Sequence, residues 1–322
     1  MRERIIQIDR RLTTNEEFTI IMTDMTQLDS LIGSEEYTTP PSPTTTSSPL
    51  FDLSERIAVV TGGTGLLGIN HCRVLAEAGA TVIVLDLSQS TCDEIASGIR
   101  MTLPNDSEAT VRGMAADVTD KASLQSICRE ILAEFGRVDI LVNNAAINDM
   151  FENPTTAGEL SKFENYPVEL LGRSLEVNLI GTFLCAQVFG TEMARAGTGS
   201  IINVASTYGI VGPNQAIYAA PDGTQTFFKS AAYPITKGGI ISFTKFLAAY
   251  WGSRGVRVNT LTPGGVENGQ DEHFIQNYAE RTPLRRMANP ADYQGALLFL
   301  ASDASAYMTG ANLVVDGGWT CW

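Results

Sequence analysis

Tyr233 and Lys237 stand four residues apart, a spacing that places both side chains on the same face of a helix. Pro234, directly after the tyrosine, fits the first turn of such a helix. A free phenol has a pKa of about 10, too high for a general base at neutral pH, whereas an adjacent ammonium group favours the phenolate. The pair therefore predicts proton exchange with a substrate oxygen, with Lys237 as the cation that lowers the pKa of Tyr233.

A glycine-rich turn lies upstream of this pair. The apolar run at 57–60 leads directly into residues 61–68, and the stretch that follows has the periodicity of an amphipathic helix. Gly63, Gly65 and Gly68 have the spacing of a dinucleotide-binding turn. In such a turn the missing side chains let the backbone approach a pyrophosphate, and the helix N-terminus supplies free N–H groups. The turn predicts a dinucleotide cofactor.

Asp86 ends the next predicted strand, eighteen positions after Gly68. A carboxylate at this place accepts hydrogen bonds from both hydroxyl groups of the adenosine ribose but repels a 2′-phosphate. Leu87 and Ser88 follow it, so these positions supply no arginine to offset the repulsion. We therefore predict NAD as the cofactor, with NADP less favoured.

Seven short apolar runs alternate with helical stretches from residue 50 onward. Continuous apolar runs are typical of strands covered by helices on both faces, and the intervals between them suit parallel βαβ crossovers. They predict a Rossmann-like α/β fold over residues 50–322, a doubly wound, seven-stranded parallel sheet with helices on both faces. Ligands bind such sheets at the carboxyl ends of the strands, and Ser206 lies just beyond the fifth run. The predicted strands are 57–60, 82–85, 111–116, 139–142, 200–205, 256–261 and 312–315.

The first 49 residues differ from the rest in composition. Residues 38–49 are all Thr, Pro or Ser, which predicts an extended linker that buries no apolar surface. Residues 1–37 carry one weak helix signal, with Thr14 and Glu17 spaced as a capping box. We interpret residues 1–37 as an arm that is disordered or partly helical, with oligomer docking or targeting as the alternative.

Composition excludes several classes of function. The 322 residues carry a formal net charge of −14, which opposes binding to nucleic acid or to an anionic membrane. No apolar run is long enough for a membrane span, and no secretory signal pattern is present, so we expect a cytoplasmic protein. The five cysteines are scattered and the two histidines lie far apart, so we expect neither a metal site nor a disulfide framework. Neither a G-x-S-x-G elbow nor a complete P-loop occurs.

Further motifs complete a family pattern. They are Asn143-Asn144-Ala145-Ala146, Asn178 in VNL, Ser206 in NVAS, Tyr233-x-x-x-Lys237, Pro263-Gly264 and a closing VVDGG. With these motifs, residues 50–322 resemble the single-domain branch of the short-chain dehydrogenase/reductase family over the whole predicted domain. The resemblance implies an oxidoreductase that acts on a small-molecule substrate and forms a homotetramer or a homodimer.

The resemblance also implies a role for each motif. Tyr233 would exchange the proton with the hydroxyl or carbonyl oxygen of the substrate, and Ser206 would hydrogen-bond that oxygen. Lys237 would lower the pKa of the tyrosine and hold the nicotinamide ribose, and Asn178 would support a proton-relay water. The cofactor-binding residues implied in this way are Gly62, Thr64, Gly65, Leu66, Leu67, Asp86, Asp117, Val118, Asn143, Ala145, Tyr233, Lys237, Pro263, Gly264 and Val266.

Some of these residues also have simple structural interpretations. The resemblance assigns Asp117 to the adenine and Val266 to the nicotinamide carboxamide. As an alternative, Asp117 in DVTD is a candidate helix cap, and Asn143 and Asn178 are of a type that ties strand and helix ends together. Residues 263–264 also fit an ordinary turn.

Two features depart from the pattern of the single-domain branch. Leu66 stands where that branch has the third glycine of T-G-x-x-x-G-x-G, so the turn fits the T-G-x-x-G-x-x-G of the extended branch. Ser206 and Tyr233 are 27 positions apart, and we expect the intervening insertion, residues 214–229, to border the substrate pocket. Its candidate groups are amides for hydroxyl recognition and rings that stack on a sugar, namely Asn214, Gln215, Gln225, Tyr218, Phe227 and Phe228. The alternative is a surface excursion with a few core aromatics.

The insertion and the ending VVDGGWTCW look like those of short-chain dehydrogenases associated with surface-sugar and flagellin modification, and more distantly of gluconate or polyol dehydrogenases. We therefore predict NAD-dependent hydride transfer between nicotinamide and the secondary alcohol or ketone of a sugar, sugar derivative or polyol. One alternative is reduction of a 3-oxoacyl thioester, against which Asp86 and the polar insertion count. The other is a non-catalytic NAD-sensing or scaffold protein, against which the intact Ser-Tyr-Lys-Asn set counts.

Overall fold

The computed structural model describes residues 49–104, 107, 109–148, 158–225 and 227–322. The predicted arm 1–37 and the predicted linker 38–49, apart from Pro49, lie outside these residues and stay predictions. The described chain opens with a single 3-10 turn, Pro49–Phe51, ahead of the first strand.

All seven predicted strands are present. They are β1 Ile57–Thr61, β2 Thr81–Asp86, β3 Val111–Ala115, β4 Ile140–Asn143, β5 Gly199–Val204, β6 Val256–Pro263 and β7 Asn312–Val315. Neighbouring strands pair in parallel in the order β3-β2-β1-β4-β5-β6-β7, so the predicted doubly wound sheet is confirmed. The chain changes direction across the sheet between β1 and β4, which opens a crevice at their carboxyl ends.

Helices cover both faces of the sheet. They are α1 Leu66–Glu77, α2 Gln89–Thr102, α3 Lys121–Phe135, α4 over 168–196, α5 Ala232–Trp251, α6 Glu272–Glu280 and α7 Gln294–Ala301. The long helix α4 is continuous, but its segments Leu175–Gly181 and Ala186–Gly190 are π-helical. Such π segments occur often at functional sites.

Alternate residues of β1 enter two separate cores, because successive side chains of a strand point to opposite faces of the sheet. Ala58 and Val60 pack with α1, α2 and α7, whereas Ile57 and Val59 pack with α3, α4 and α5. All five residues of β1 are buried, which explains why the strand is a continuous apolar run in the sequence. The two helical layers leave the carboxyl edge of the sheet for ligands.

Candidate active site

The turn between β1 and α1 needs glycine at two positions. Gly62 has a φ of 62°, and a Cβ on it would lie 2.7 Å from the Ala145 Cα. A Cβ on Gly68 would lie 2.0 Å from the Gly62 carbonyl oxygen. Leu66, which replaces the family's third glycine, is the first residue of α1 and does not have a positive φ. The turn therefore accepts leucine there and keeps its close backbone contacts.

The first turn of α1 is open to a ligand. Gly65 precedes the helix and has no side chain to cap it, so the first N–H groups of α1 have no side-chain partner from the N-cap. Gly65, Leu66 and Leu67 line a cavity of about 570 Å³. Free N–H groups and the positive end of the helix dipole favour an anion such as a pyrophosphate at this place.

This cavity brings together most of the predicted cofactor-binding residues. Those that line it are Gly62, Thr64, Gly65, Leu66, Leu67, Asp86, Asp117, Val118 and Ala145. Arg173 and Glu176 of α4 line it as well and were not predicted. No motif marks these two residues, because only the packing of α4 against the sheet brings them to the cavity.

Asp86 is fixed at the edge of the cavity by three hydrogen bonds. Its Oδ2 accepts from the Thr64 N–H at 3.1 Å and from the Thr64 hydroxyl at 2.6 Å, and its Oδ1 accepts from the Leu87 N–H at 2.8 Å. The carboxylate thus links the end of β2 to the glycine-rich turn. This position is the one at which an adenosine ribose would meet an acid.

Asp117 lines the cavity and does not cap α3. The cap of that helix is Asp120, whose Oδ1 accepts from the Ala122 N–H at 2.8 Å. The Oδ1 of Asp117 instead accepts from the N–H and the hydroxyl of Thr119, at 2.8 Å and 2.7 Å. The helix-cap interpretation of Asp117 is therefore wrong.

Six predicted cofactor residues lie outside the lining of this cavity, and two of them, Tyr233 and Lys237, form the predicted catalytic pair described below. Asn143 is buried, and its Nδ2 donates to the Asn203 Oδ1 at 2.8 Å, so its amide joins β4 to β5. Pro263 is the last residue of β6, and the Gly264 N–H donates to the end of β7. Val266 forms an isolated bridge just after β6. Asn143 thus ends β4, and the other three residues lie further along the same carboxyl edge of the sheet, past β5.

The predicted catalytic side chains meet between β5 and α5. Ser206 follows β5 and Tyr233 is the second residue of α5, and the Ser206 side chain is hydrogen-bonded to the Tyr233 phenol. Lys237 is buried one turn further along α5, where its Nζ donates to the Val204 carbonyl oxygen at 2.8 Å. The Lys237 Nζ lies 5.6 Å from the centroid of the Tyr233 ring. The spacing of Tyr233 and Lys237 thus places both on one face of a helix, as predicted.

Burial disfavours the charged form of both Tyr233 and Lys237. Burial raises the pKa of the Tyr233 phenol, and the hydrogen bond with Ser206 lowers it in part. Burial lowers the pKa of the Lys237 ammonium to about 8. The lysine is therefore still largely protonated at neutral pH, and its charge favours ionisation of the phenol beside it.

Asn178 lies in the π segment of α4 and is fully buried. Its Oδ1 accepts from the Ile147 N–H at 2.7 Å, and its Nδ2 donates to the Ile147 carbonyl oxygen at 3.0 Å and to the Thr236 hydroxyl at 3.3 Å. The side chain joins the loop after β4 to α5, which agrees with its structural interpretation. Its role in a proton relay stays a prediction.

A second lysine, not among the predicted site residues, lies over the ring of Tyr233. The Lys229 Nζ is 4.7 Å from the centroid of the Tyr233 ring and hydrogen-bonds to the Asn148 side chain. Lys229 and Lys237 stand four residues before and four residues after Tyr233, which is a signal in the sequence. Residue 229 precedes α5, however, so helical spacing alone does not assign it to the site.

The amides of the insertion are engaged within it, contrary to the expectation that they recognise the substrate. The Gln215 Nε2 donates to the Lys229 carbonyl oxygen at 2.9 Å, and its Oε1 accepts from the Lys229 N–H at 2.8 Å. The Gln225 Nε2 donates to the Gln215 carbonyl oxygen at 3.1 Å, and Asn214 caps the turn Gln215–Tyr218. These bonds fold the insertion back so that its last residue, Lys229, lies over Tyr233.

The part of the chain that the structure describes contains neither a candidate metal-ligand cluster nor a membrane-spanning helix. Within it, no group of three or more His, Cys, Asp or Glu side chains is placed to hold a metal ion. No helix in the described ranges has both the length and the apolar composition to cross a bilayer. All five cysteines are free thiols, and only Cys321 is exposed.

Comparison with known proteins identifies relatives with named activities. The D-threitol dehydrogenase of Mycolicibacterium smegmatis is 34% identical over 275 residues, which cover 84% of this chain and 95% of that protein. The NAD-dependent glycerol dehydrogenase of Listeria innocua is 31% identical over 275 residues, which cover 84% of this chain and 96% of that protein. The similarity therefore extends over nearly the whole length of both relatives.

Solved structures and a family model agree with these relatives. A gluconate 5-dehydrogenase from Burkholderia cenocepacia, in complex with NADP and tartrate, superposes with a TM-score of 0.71 at 30% identity, covering 85% of this chain and 98% of that one. The family model described as enoyl-(acyl carrier protein) reductase matches residues 67–320. Taken with the parallel sheet and the Ser206, Tyr233 and Lys237 arrangement, these similarities show that the chain belongs to the short-chain dehydrogenase/reductase family of oxidoreductases.

Proposed function

We propose that the protein is an NAD-dependent dehydrogenase that transfers hydride between nicotinamide and a secondary alcohol or ketone of a polyol, sugar or sugar derivative, with Tyr233 as the acid–base group. The observation that carries this proposal is the arrangement at the carboxyl edge of the sheet. Ser206, Tyr233 and Lys237 lie together there, and the glycine-lined cavity opens at the same edge. This is the edge at which parallel sheets bind their ligands.

The residues present fit a nicotinamide dinucleotide. The glycine positions that admit no Cβ and the uncapped N-terminus of α1 suit its pyrophosphate, and Asp86 suits its adenosine ribose. When bound, the nicotinamide would supply the hydride acceptor for oxidation or the donor for reduction. Lys237, buried beside Tyr233, would hold its ribose.

In the oxidative direction, the Tyr233 phenolate accepts the proton of the substrate hydroxyl. The Ser206 hydroxyl donates a hydrogen bond to the same oxygen and holds it within reach of the phenolate. The ammonium groups of Lys229 and Lys237 lie 4.7 Å and 5.6 Å from the centroid of the Tyr233 ring, and their positive charge stabilises the phenolate. In the reductive direction the phenol returns its proton to the carbonyl oxygen.

The preference for NAD rests on Asp86. Its carboxylate is held at the cavity edge by Thr64 and Leu87, where a 2′-phosphate would meet a like charge. The relatives differ in this respect, since the Listeria innocua enzyme is named NAD-dependent and the Burkholderia cenocepacia structure contains NADP. The acid at this position supports the first of these cofactors for our protein.

A polyhydroxylated substrate is supported by the named relatives and by the lining of the site. The threitol and glycerol dehydrogenases act on polyols by name. Lys229, Asn148 and the phenol groups near Tyr233 make the substrate side of the site polar. An apolar acyl channel, as a 3-oxoacyl thioester reductase would need, is not supported by these residues. Cytoplasmic location stays a prediction.

The substrate class is tested by following nicotinamide absorbance with the purified protein. NAD and NADP would be offered in parallel with D-threitol, glycerol, galactitol, gluconate and a 3-oxoacyl thioester. We expect NAD-dependent oxidation of at least one polyol or aldonate. Turnover of the thioester alone would contradict the proposal. Tight binding of NADH without turnover of any compound would instead favour the non-catalytic NAD-sensing alternative.

We also propose that the protein forms a homodimer or homotetramer through α4 and α5. Phe183, Phe243, Phe246 and Tyr250 form an aromatic band on these helices, with the stacked rings of Phe246 and Tyr250 at a centroid distance of 5.8 Å. Phe183, Phe246 and Tyr250 are 44%, 59% and 57% exposed. An apolar band of this kind is typical of a surface that another chain covers, and a second copy fits the family expectation of a homo-oligomer.

Phe246→Asp tests this surface. A charge in the centre of the aromatic band would be buried against the partner, so we expect light scattering to show a smaller particle than the wild type. Met101→Asp, which places the same charge on an exposed residue of α2, is the control and should leave the particle unchanged. A monomeric wild-type protein would contradict the proposal outright.

A further inference from the structure

Two phenol hydroxyl groups lie beside the catalytic groups and bond to each other. The Tyr208 and Tyr218 hydroxyl oxygens are 3.0 Å apart. Tyr208 lies on the short turn Thr207–Gly209, directly after Ser206, and Tyr218 ends the first turn of the insertion. We call these two hydroxyl groups the phenol pair. The insertion therefore brings the Tyr218 phenol to the Tyr208 phenol, which the turn after β5 already supplies.

Tyr208 is held against the catalytic residues by its backbone. Its N–H donates to the Ser206 Oγ at 3.2 Å. A Cβ on Gly209 would lie 2.8 Å from the carbonyl carbon of Lys237, so the turn packs directly on the backbone of α5. Any other residue at 209 would push the turn away from α5. The position of Tyr208 is thus coupled to both Ser206 and Lys237.

Tyr218 is held by one aromatic ring of the insertion itself and by one of α6. Its ring centroid lies 5.5 Å from that of Phe227 in an edge-on arrangement and 5.3 Å from that of Phe274 on α6. The neighbouring residue Ile217 is fully buried, which fixes the backbone of the turn. These rings also border a cavity of about 360 Å³. They offer apolar faces beside the polar phenol pair.

The phenol pair has hydrogen-bonding capacity to spare. Each phenol carries one O–H donor and accepts hydrogen bonds, and the bond within the pair uses only one of the two donors. Among the described residues, no other hydrogen bond to either phenol oxygen is present. Burial raises the pKa of both phenols, that of Tyr218 to about 12. A negative charge on Tyr233 raises the pKa of both phenols as well. The pair is therefore neutral at physiological pH and lies within electrostatic reach of the catalytic phenol.

We propose that Tyr208 and Tyr218 recognise a second hydroxyl group of the substrate, close to the one that reacts at Tyr233, and so select polyhydroxylated substrates. This assignment rests on the proposed function. A neutral pair with one free donor and free acceptors matches an alcohol hydroxyl, which is itself both donor and acceptor. A substrate that lacks the second hydroxyl would leave the half-buried pair without its partner, which disfavours that substrate. The rings of Phe227 and Phe274 contact Tyr218 from the apolar side, where they suit C–H groups.

The test compares matched substrates in Tyr218→Phe and Tyr208→Phe. D-threitol and galactitol are the polyols, and 2-butanol and 2-hexanol are secondary alcohols of the same chain lengths with one hydroxyl. For each variant we expect kcat/KM for the polyols to fall roughly ten- to hundredfold, with little change for the mono-alcohols. The double variant should lose little more than either single variant, since the two hydroxyl groups act as one unit. NADH affinity should stay that of the wild type.

Tyr307→Phe is the matched control, because Tyr307 is fully exposed and its hydroxyl faces solvent. Unchanged discrimination in both phenol-pair variants would overturn the assignment and leave the proposed function intact. An equal loss on polyols and mono-alcohols would also overturn it, because it would point to a structural role for the pair. Failure of the wild type to oxidise D-threitol, galactitol, glycerol or gluconate, with NAD or NADP, would remove the proposed function and this assignment together.

Discussion

Tyr233→Phe is expected to lower kcat for alcohol oxidation by about 10²- to 10⁴-fold, because it removes the only atom of Tyr233 that can carry the proton. The ring itself stays in place, with Lys229 at 4.7 Å and Lys237 at 5.6 Å from its centroid. The fold should therefore be retained, and NADH should still bind. The measurement is initial velocity from nicotinamide absorbance, with NADH affinity from fluorescence titration on the same sample.

Tyr307→Phe provides the control for this substitution. It removes the same atom from a fully exposed tyrosine outside both the site and the aromatic band. Its kcat should equal that of the wild type. A Tyr233→Phe variant that keeps wild-type kcat would refute the assignment of Tyr233 as the acid–base group, and loss of NADH binding in that variant would show that the ring serves the cofactor instead.

Asp86 is expected to give the wild type at least a hundredfold preference for NADH over NADPH in dissociation constant. A 2′-phosphate placed beside a fixed carboxylate meets a like charge, which costs several kcal/mol. Asp86→Asn removes the charge at nearly constant volume, so we expect the preference to fall at least tenfold, chiefly through tighter binding of NADPH. The measurement is fluorescence titration with both reduced cofactors at low and high salt, because salt screens the repulsion.

Glu94→Gln is the charge-matched control. Glu94 is an exposed residue of α2, the helix that follows Asp86, so the variant changes net charge equally without touching the cavity lining. It should leave the cofactor preference as it is in the wild type. Equal affinity of the wild type for NADH and NADPH would contradict the proposed role of Asp86.

The sequence by itself determined the sheet and, to within two residues, the ends of its strands. The central strands β1 and β4 are buried on both faces, so each is a continuous apolar run that can be recognised without knowledge of its neighbours. The glycine-rich turn was equally visible, because its requirement at Gly62 and Gly68 is a local clash of backbone atoms. Tyr233 and Lys237 could also be paired from local information, because a separation of four residues on one helix places both side chains on the same face.

Contacts between residues that lie far apart in the sequence were decided only by the tertiary structure. Lys229 reaches Tyr233 because Gln215 folds the insertion back on itself through two hydrogen bonds. The insertion's composition alone suggested that its amides bind the substrate, yet those amides satisfy backbone groups that the fold would otherwise leave unpaired. Tyr208 and Tyr218 meet for similar reasons, each held by its own turn. Periodicity reports which face of an element is buried, but the contacts of a loop depend on what the rest of the chain places beside it.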